Sequence, residues 1–249
     1  MTLFSKNYRS TAFEQWRKFY KINELLLDMR IVLKLSPAAE IIPFDHQPLL
    51  VDCIHRWLEW NKQFYDGHVA LFSFSKLNGG HRSNDGLSFS NGADFFLSSY
   101  NLSLIKQLIK GIRKDPKMFY GLTVTDIILE RDSDMDTREV FEVASPILIS
   151  RRINDRIEQI LYNDSRASDF LKETIQTKMK YAGLEIDNSF YIKFDMTYPK
   201  ASTKMINYKE IYNRASWCPV IITGDPQTKL FIWNVGVGNS TGIGFGAIR

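Results

Sequence analysis

Strand and helix patterns alternate along the first half of the chain, and their order limits the fold more than any other feature. Ile31, Leu33 and Leu35 alternate with polar or smaller residues, as in a half-buried strand. The predicted series is strand 29–35, helix 47–64, strand 69–76, strand 93–99, helix 101–113 and strand 122–130. This βαββαβ order predicts an α+β domain of the ferredoxin-like, or RRM-like, class.

A weaker version of the same order follows in the second half. The cleanest strand lies over residues 189–198, where apolar and polar residues alternate strictly. The other predicted elements are strand 139–149, helix 169–182, a weak helix 208–215, and strands 219–223 and 229–235 joined by a turn at residues 224–226. We therefore predict two tandem ferredoxin-like domains, 29–134 and 135–249, after an N-terminal extension of residues 1–28.

The composition narrows the class of protein without identifying its partner. The 32 Lys and Arg residues against 28 Asp and Glu permit a polyanionic ligand. Cys53 and Cys218 are each surrounded by apolar residues, which predicts buried thiols and a reducing, cytoplasmic setting. No apolar run approaches the ~20 residues that span a bilayer, so no membrane partner is expected. No CxxC or HExxH motif occurs, so we expect neither a metal site nor a cofactor.

Residues 236–246, the glycine-rich segment, carry five glycines within eleven residues. They are Gly236, Gly238, Gly242, Gly244 and Gly246. Such a density lets backbone amides approach a phosphate, and Asn239, Ser240 and Thr241 add polar donors. A P-loop is excluded because no Gly-Lys-Ser/Thr follows, and a dinucleotide fingerprint is unexpected because no helix follows. The alternative is a tight hairpin whose glycines only relieve crowding.

The spacing of these glycines is similar to the GhGxxxxxGhG signature, with h apolar, of the RAMP superfamily of CRISPR proteins. Gly236-Val237-Gly238, five intervening residues and Gly244-Phe245-Gly246 fit it without a gap. Residues 45–47, 72–75 and 144–147 further resemble the repeat-processing endoribonucleases, the sixth Cas family, over about residues 29–249. The resemblance implies two ferredoxin-like halves and metal-independent cleavage of CRISPR repeat RNA. In that reaction the 2′-hydroxyl attacks the adjacent phosphate and leaves a 2′,3′-cyclic phosphate and a 5′-hydroxyl.

The resemblance also implies site residues. His55 lies within the first helix, where the family places a Tyr or His. Tyr65 stands seven residues before Phe72, where the family usually has its histidine, and His68 follows three residues later. His55 and His68 are the expected acid–base pair, because histidine titrates near neutrality, and Tyr65 is an additional donor. The family's usual lysine is missing between Lys62 and Lys76.

RNA contacts are expected from the glycine-rich segment and from the densest basic run, Arg151, Arg152 and Arg156. Each histidine taken alone has a structural interpretation, His55 as a half-buried helix residue and His68 as a surface loop residue. The expected partner is CRISPR repeat RNA, with other Cas effector subunits as further candidates and a monomer or homodimer as the assembly. Two alternatives remain open: a non-catalytic RNA-binding protein of the same fold that holds guide RNA in an effector complex, and a nucleotide-binding regulatory domain.

Overall fold

The first structural unit contains a four-stranded antiparallel sheet with two helices on one face. The computed structural model describes residues 30–60, 69–130 and 134–249, so the predicted extension 1–28 lies outside the described residues. The elements are β1 (Arg30–Leu35), α1 (Gln47–Trp57), β2 (Phe72–Phe74), the short pair β3 (His81–Arg82) and β4 (Leu87–Ser88), β5 (Ala93–Ser99), α2 (Leu102–Lys114) and β6 (Val124–Glu130). The sheet order is β2-β5-β1-β6. This is the ferredoxin-like order predicted from the sequence.

The two faces of this first sheet have different partners. Ile31, Leu33 and Leu35 of β1 point to one face and join the buried core with the apolar sides of α1 and α2. Helix α2 begins as predicted, because the Asn101 side chain accepts a hydrogen bond from the Ser103 amide at 2.9 Å. The opposite face carries Arg30 and turns toward the second unit.

The second unit repeats the order with insertions. Its elements are β7 (Val140–Phe141), β8 (Ile149–Ile153), β9 (Arg156–Ile160), α3 (Ala167–Tyr181), β10 (Tyr191–Phe194), β11 (Ser202–Tyr208), β12 (Ile211–Trp217), β13 (Val220–Thr223) and α4 (Pro226–Val235). The sheet order is β10-β13-β7, and residues 247–249 pair with residues 142–144 beyond β7. With that last segment as the fourth strand, the order equals that of the first unit. The predicted boundary at residues 134–135 stays a prediction.

One predicted strand of the second unit is wrong. Residues 229–235 form most of helix α4, and the predicted turn at residues 224–226 is the start of that helix. Asp225 caps it by accepting a hydrogen bond from the Gln227 amide at 2.8 Å, and Pro226 occupies the first helical turn. Almost every residue from Thr228 to Val235 is buried. A helix buried all round has no polar face, so its sequence resembles a buried strand.

The predicted weak helix 208–215 is also wrong, because these residues lie in the hairpin of β11 and β12. Seven residue pairs join the two strands, from Ser202 opposite Trp217 to Tyr208 opposite Ile211. Lys209 and Glu210 form the turn, both with positive φ. Two-residue turns of this kind are usually signalled by Asn-Gly or Asp-Gly, and Lys-Glu carries no such signal.

Arg30 joins the two units. Its side chain is 1 % exposed, and its guanidinium lies 3.9 Å from the Phe96 ring and 3.2 Å from the Trp233 ring. It donates hydrogen bonds to the carbonyls of Trp233 and Ile248, at 3.0 and 2.9 Å. The Glu130 carboxylate lies 3.9 Å from Arg30 Nε. Hence β1 of the first unit is held against α4 and the C-terminal segment of the second by a buried cation that contacts carbonyls, π faces and one carboxylate.

Other features of the sequence have clear counterparts. Cys53 and Cys218 are buried free thiols, as predicted, and burial raises the pKa of each to about 11. No helix among the described residues combines the length and apolar character needed to cross a membrane. Across ranges 30–60, 69–130 and 134–249, no three His, Cys, Asp or Glu side chains gather as a metal-binding group.

Candidate functional site

The glycine-rich segment follows helix α4, not a strand, and packs back onto the protein. The Val237 amide donates to the Gly246 carbonyl, and the Gly246 amide donates to the Pro146 carbonyl, both at 2.8 Å. A Cβ at Gly246 would lie 1.8 Å from the Val237 oxygen, and one at Gly238 would lie 2.4 Å from the Leu148 oxygen. Both glycines have positive φ. Glycine is therefore required at these positions by close backbone packing.

The same segment also reaches the first unit. A Cβ at Gly236 would meet Ser73 of β2 at 2.8 Å, and one at Gly242 would meet Ala70 at 3.0 Å. Gln47, the first residue of α1, donates from Nε2 to the Ile243 carbonyl at 2.5 Å. The segment thus lies against the start of α1 and against the chain entering β2. The predicted catalytic loop runs between these two elements.

Lys178 of α3 binds the glycine-rich segment through its buried amino group. Its Nζ donates to the Val235 carbonyl at 3.0 Å, to the Gly236 carbonyl at 3.1 Å and to Thr241 Oγ1 at 3.2 Å. The side chain is 4 % exposed, and burial lowers the pKa of Lys178 to about 7. Lys178 therefore tethers the segment, and its protonated form uses all three N–H donors in these contacts.

Arg151 of β8 plays a similar part on the other side. Its Nη1 donates to Asn239 Oδ1 at 3.0 Å, and its Nη2 donates to the Phe170 carbonyl at 2.7 Å and to Thr174 Oγ1 at 2.6 Å. Asn239 Oδ1 also accepts from the Ser150 amide at 2.9 Å. Both residues, predicted to contact RNA, are hence engaged within the protein, and their contact with RNA stays a prediction.

The remaining predicted RNA-binding residues differ in exposure. Ser240 is exposed and has a left-handed backbone, whereas Thr241 is 1 % exposed and Gly244 and Gly246 are buried. Arg152 and Arg156 are both exposed on the β8–β9 hairpin. Because Arg152 pairs with Ile157 and Arg156 pairs with Ile153, the two guanidiniums start from opposite faces of the hairpin.

A cavity of about 320 Å³ opens beside the glycine-rich segment. Val69 and Ala70 form one wall, and Gly238 to Thr241 form another. Arg151 and Lys178 contribute their cationic side chains to the lining, and Glu173 contributes a carboxylate. The cavity thus borders the residue that follows His68, on the same side of the segment as the buried tethers.

His55 is the described member of the predicted catalytic trio. It lies half-buried near the end of α1, and its ring contacts the Trp60 ring edge-on with centroids 5.4 Å apart. Burial lowers the pKa of His55, the Asp52 carboxylate raises it and the Lys209 ammonium lowers it further. The turn of the β11–β12 hairpin therefore lies close to His55. Tyr65 and His68 lie outside the described residues.

Three residues near the site were missed in the sequence: Lys178, Tyr208 and Lys209. Burial and Asp52 raise the pKa of the Tyr208 phenol, so Tyr208 shares its surroundings with His55. Lys178 is one of several lysines on a helix, and its burial depends on a segment more than fifty residues away. Tyr208 and Lys209 could have been found only by predicting residues 202–217 as a hairpin, because its turn then carries these two residues toward α1.

Comparison with known proteins gives a family match for the second half of the chain. Residues 129–249 match the family model described as CRISPR associated protein Cas6, C-terminal. The second half of the chain is therefore similar to the C-terminal part of Cas6 proteins. The match contains the whole GhGxxxxxGhG signature, so the similarity to Cas6 includes the glycine-rich segment described above.

Solved structures extend the likeness in fold to both units. A Cas6-related protein from Pyrococcus furiosus superposes with a TM-score of 0.77 and 23% identity, covering 89% of this chain and 97% of that one. A structure described as CRISPR associated protein Cas6 has a TM-score of 0.75 and 22% sequence identity, and the match covers 89% of this chain and 98% of that one. A structure described as a RAMP protein binding different RNA substrates has a TM-score of 0.77 and 20% sequence identity, and the match covers 89% of this chain and 98% of that one. No curated protein sequence gives a significant match. The Cas6-type tandem ferredoxin fold therefore covers the described chain.

Proposed function

We propose that this chain is an endoribonuclease that cleaves CRISPR repeat RNA in precursor transcripts to produce guide RNAs. One observation carries the proposal: a Cas6-family glycine-rich segment is packed against α1, the helix that presents His55. The description of one similar structure as an RNA-binding RAMP protein supports the substrate class. The exposed arginines of the β8–β9 hairpin supply charge for phosphate contacts.

In the proposed reaction, a base removes the proton from the 2′-hydroxyl, whose oxygen attacks the adjacent phosphorus. The bond to the 5′-oxygen breaks, an acid protonates that oxygen, and the products are a 2′,3′-cyclic phosphate and a 5′-hydroxyl. Because burial lowers the pKa of His55, its imidazole is largely neutral at pH 7, which suits the base. His68 is then the acid and Tyr65 an additional donor, and no metal ion or cofactor takes part.

Lys209 is proposed to stabilise the charge that develops on the phosphorane. The loop between Lys62 and Lys76 lacks the lysine that the resemblance implies. Tyr208, next to Lys209 at the turn of the β11–β12 hairpin, packs against the core of the first unit, and the Lys209 charge lowers the pKa of His55, which supports this role. A cation at this point acts on transition-state charge, as general electrostatic stabilisation requires.

Single-turnover cleavage of the cognate repeat RNA tests these roles. His55→Ala and His68→Ala should each lower the rate by roughly 10²-fold or more, the usual contribution of one general acid or base. His81→Ala is the matched control, since His81 is an exposed histidine on the short β3 strand, and it should cleave at the parent rate. If Tyr65→Phe is the most damaging substitution, Tyr65 has the central role and His68 does not.

A parent protein that binds its repeat RNA but does not cleave it would replace this proposal with the non-catalytic one, a RAMP protein that holds guide RNA. The Lys209 role has its own check. Lys209→Gln should lower the rate at saturating protein while leaving RNA affinity nearly unchanged, because the charge acts on the transition state. Lys200→Gln, at an exposed lysine before β11, is the control.

A further inference from the structure

A second cavity, of about 190 Å³, lies between the start of α1 and the β11–β12 hairpin. Phe44, His46 and Gln47 form one wall, and Met205, Asn207 and Tyr212 form the other. Ser75 and Lys76 lie at its floor, just after β2. The cavity is smaller than the ~300–1,000 Å³ pockets that enclose drug-sized ligands, so it suits a single ring system.

The rim of this cavity is unusually apolar and aromatic for a surface. Phe44, Met205 and Tyr212 are 51 %, 57 % and 65 % exposed. The Arg82 guanidinium lies 5.3 Å from the centre of the Phe44 ring. Exposed aromatic rings beside a cation form the usual platform on which proteins stack unpaired bases, with the cation available to the phosphate.

The interior of the cavity offers hydrogen-bond acceptors. Among the described residues no donor reaches Asn207 Oδ1, although this atom is buried. The Nδ1 of His46 lies 2.8 Å from the Pro43 carbonyl, which can only accept, so Nδ1 carries the proton and Nε2 is an acceptor in the neutral ring. Burial lowers the pKa of His46 and thus favours that neutral ring. Asn207 Oδ1 is therefore a buried acceptor without a donor in the described part of the chain, and His46 adds a second acceptor nitrogen to the lining.

We infer that this cavity binds one unpaired nucleobase of the RNA, a base with an exocyclic amino group, stacked at the rim by Phe44 and Tyr212. The amino group supplies the donor that Asn207 Oδ1 lacks. Lys76 is half-buried in the lining, with its Nζ 5.7 Å from the centre of the Trp217 ring, and its cation suits the ring oxygens or the phosphate of the same nucleotide. This inference rests on the proposed RNA substrate and adds a recognition subsite apart from His55.

An abasic scan of the repeat RNA tests the subsite. In each of a series of RNAs one base is removed, and Kd is measured for the parent, for Tyr212→Ala and for Tyr191→Ala. Tyr191 is an exposed tyrosine on β10, in a different sheet, and serves as the control. We expect one position whose loss raises the parent Kd about 5- to 100-fold, the range for one stacked base. At that position Tyr212→Ala should show no further loss, whereas Tyr191→Ala should behave like the parent.

The hydrogen-bond part has a separate readout. Removing only the exocyclic amino group of that base should weaken binding to the parent but not to Asn207→Leu. RNA that is bound and cleaved without any position coupled to Tyr212 would overturn the subsite and leave the proposed function standing. Free nucleoside monophosphate that binds as tightly as RNA would overturn it as well, since the ligand would then be a small nucleotide. Absence of any RNA binding would overturn both.

Discussion

The two units share one strand order and differ in the length of their strands and in the elements inserted between them. In the first, β1, β5 and β6 are six or seven residues long, and their side chains build a continuous core with α1 and α2. In the second, β7 has two residues and β10 and β13 have four, and two hairpins and the glycine-rich segment are added. The first unit thus acts as a platform that presents α1, and the second supplies the irregular elements that surround it.

Buried cations show the same difference. Arg30 is the first unit's cation, and it is used to attach the units to each other. In the second unit, the buried Lys178 binds carbonyls of the glycine-rich segment, and the partly buried Arg151 binds its Asn239. Irregular backbone leaves carbonyls that no ladder satisfies, and buried donors meet that need. The comparison therefore predicts that the second unit is the more sensitive to single substitutions at its glycines and cations.

The largest expected effect is at Gly246. A side chain there meets the Val237 carbonyl at 1.8 Å and requires a left-handed backbone. Gly246→Val should lower the free energy of unfolding by about 4 kcal/mol, through overpacking and backbone strain together. Gly183→Ala is the control, because Gly183 also has positive φ but nothing lies within 4 Å of its Cβ. Gly183→Ala should lower the free energy of unfolding, measured by urea denaturation, by only about 1 kcal/mol. Equal losses would contradict the packing argument.

The second largest effect is expected for Arg30→Met. This substitution should lower the free energy of unfolding by about 3 kcal/mol, because two buried carbonyls lose their donor. The sharper readout is cooperativity. The parent should unfold in one transition, whereas Arg30→Met should separate the two units, so that tryptophan fluorescence and far-UV dichroism no longer coincide. Coincident transitions in the variant would show that Arg30 does not couple the units.

Lys178→Met should have a pH-dependent effect. The pKa of Lys178 is about 7 in the folded state and near 10.4 in an unfolded chain, so between these values the unfolded state binds more protons. Parent stability should therefore rise with pH across this window, by up to ~1.4 kcal/mol per pH unit from this group. Lys178→Met should lack that slope and be about 2 kcal/mol less stable near pH 10, where its hydrogen bonds are lost. Identical pH slopes for parent and variant would contradict the lowered pKa of Lys178.

The smallest effect on stability is expected at Arg152. Its side chain is exposed on the β8–β9 hairpin, so Arg152→Ala should change the free energy of unfolding by less than about 0.5 kcal/mol. RNA affinity should nevertheless fall. The slope of log K against log salt concentration should become shallower by about one unit, the contribution of one phosphate contact. Arg166→Ala, at an arginine paired with Asp164, is the control. An unchanged salt slope would remove Arg152 from the RNA interface.

The sequence predicts the first unit well because its helices and strands each have one apolar and one polar side. Asn101 and the alternation from Ile31 to Leu35 define element starts and faces without knowledge of the tertiary structure. In the second unit the same reasoning fails at α4, which is buried on all sides. It also fails at residues 208–215, where Lys209 and Glu210 form the turn without the usual turn residues.

The candidate site divides in the same way. The glycine spacing and His55 can be found from local patterns, and the structure brings the segment and α1 together. The structural role of Gly238 and Gly246 could not be predicted, because the atoms that exclude a side chain belong to residues 148 and 237. Lys178 and Lys209 depend likewise on contacts between distant elements. Local patterns thus reveal candidate residues such as His55 and the spaced glycines, whereas roles that depend on contacts with distant segments, such as that of Lys178, appear only in the fold.

The central claim is that the ribose 2′-hydroxyl is the nucleophile in a site built by α1 and the glycine-rich segment. The most direct test compares the cognate repeat RNA with the same RNA carrying one 2′-deoxy nucleotide on the 5′ side of the cut, both in excess EDTA. The first RNA should be cleaved to a 2′,3′-cyclic phosphate and a 5′-hydroxyl, because side-chain acid–base groups carry the proton transfers. The second RNA should be bound with nearly the same affinity and should not be cleaved. Cleavage of the 2′-deoxy RNA at the same position would contradict the account.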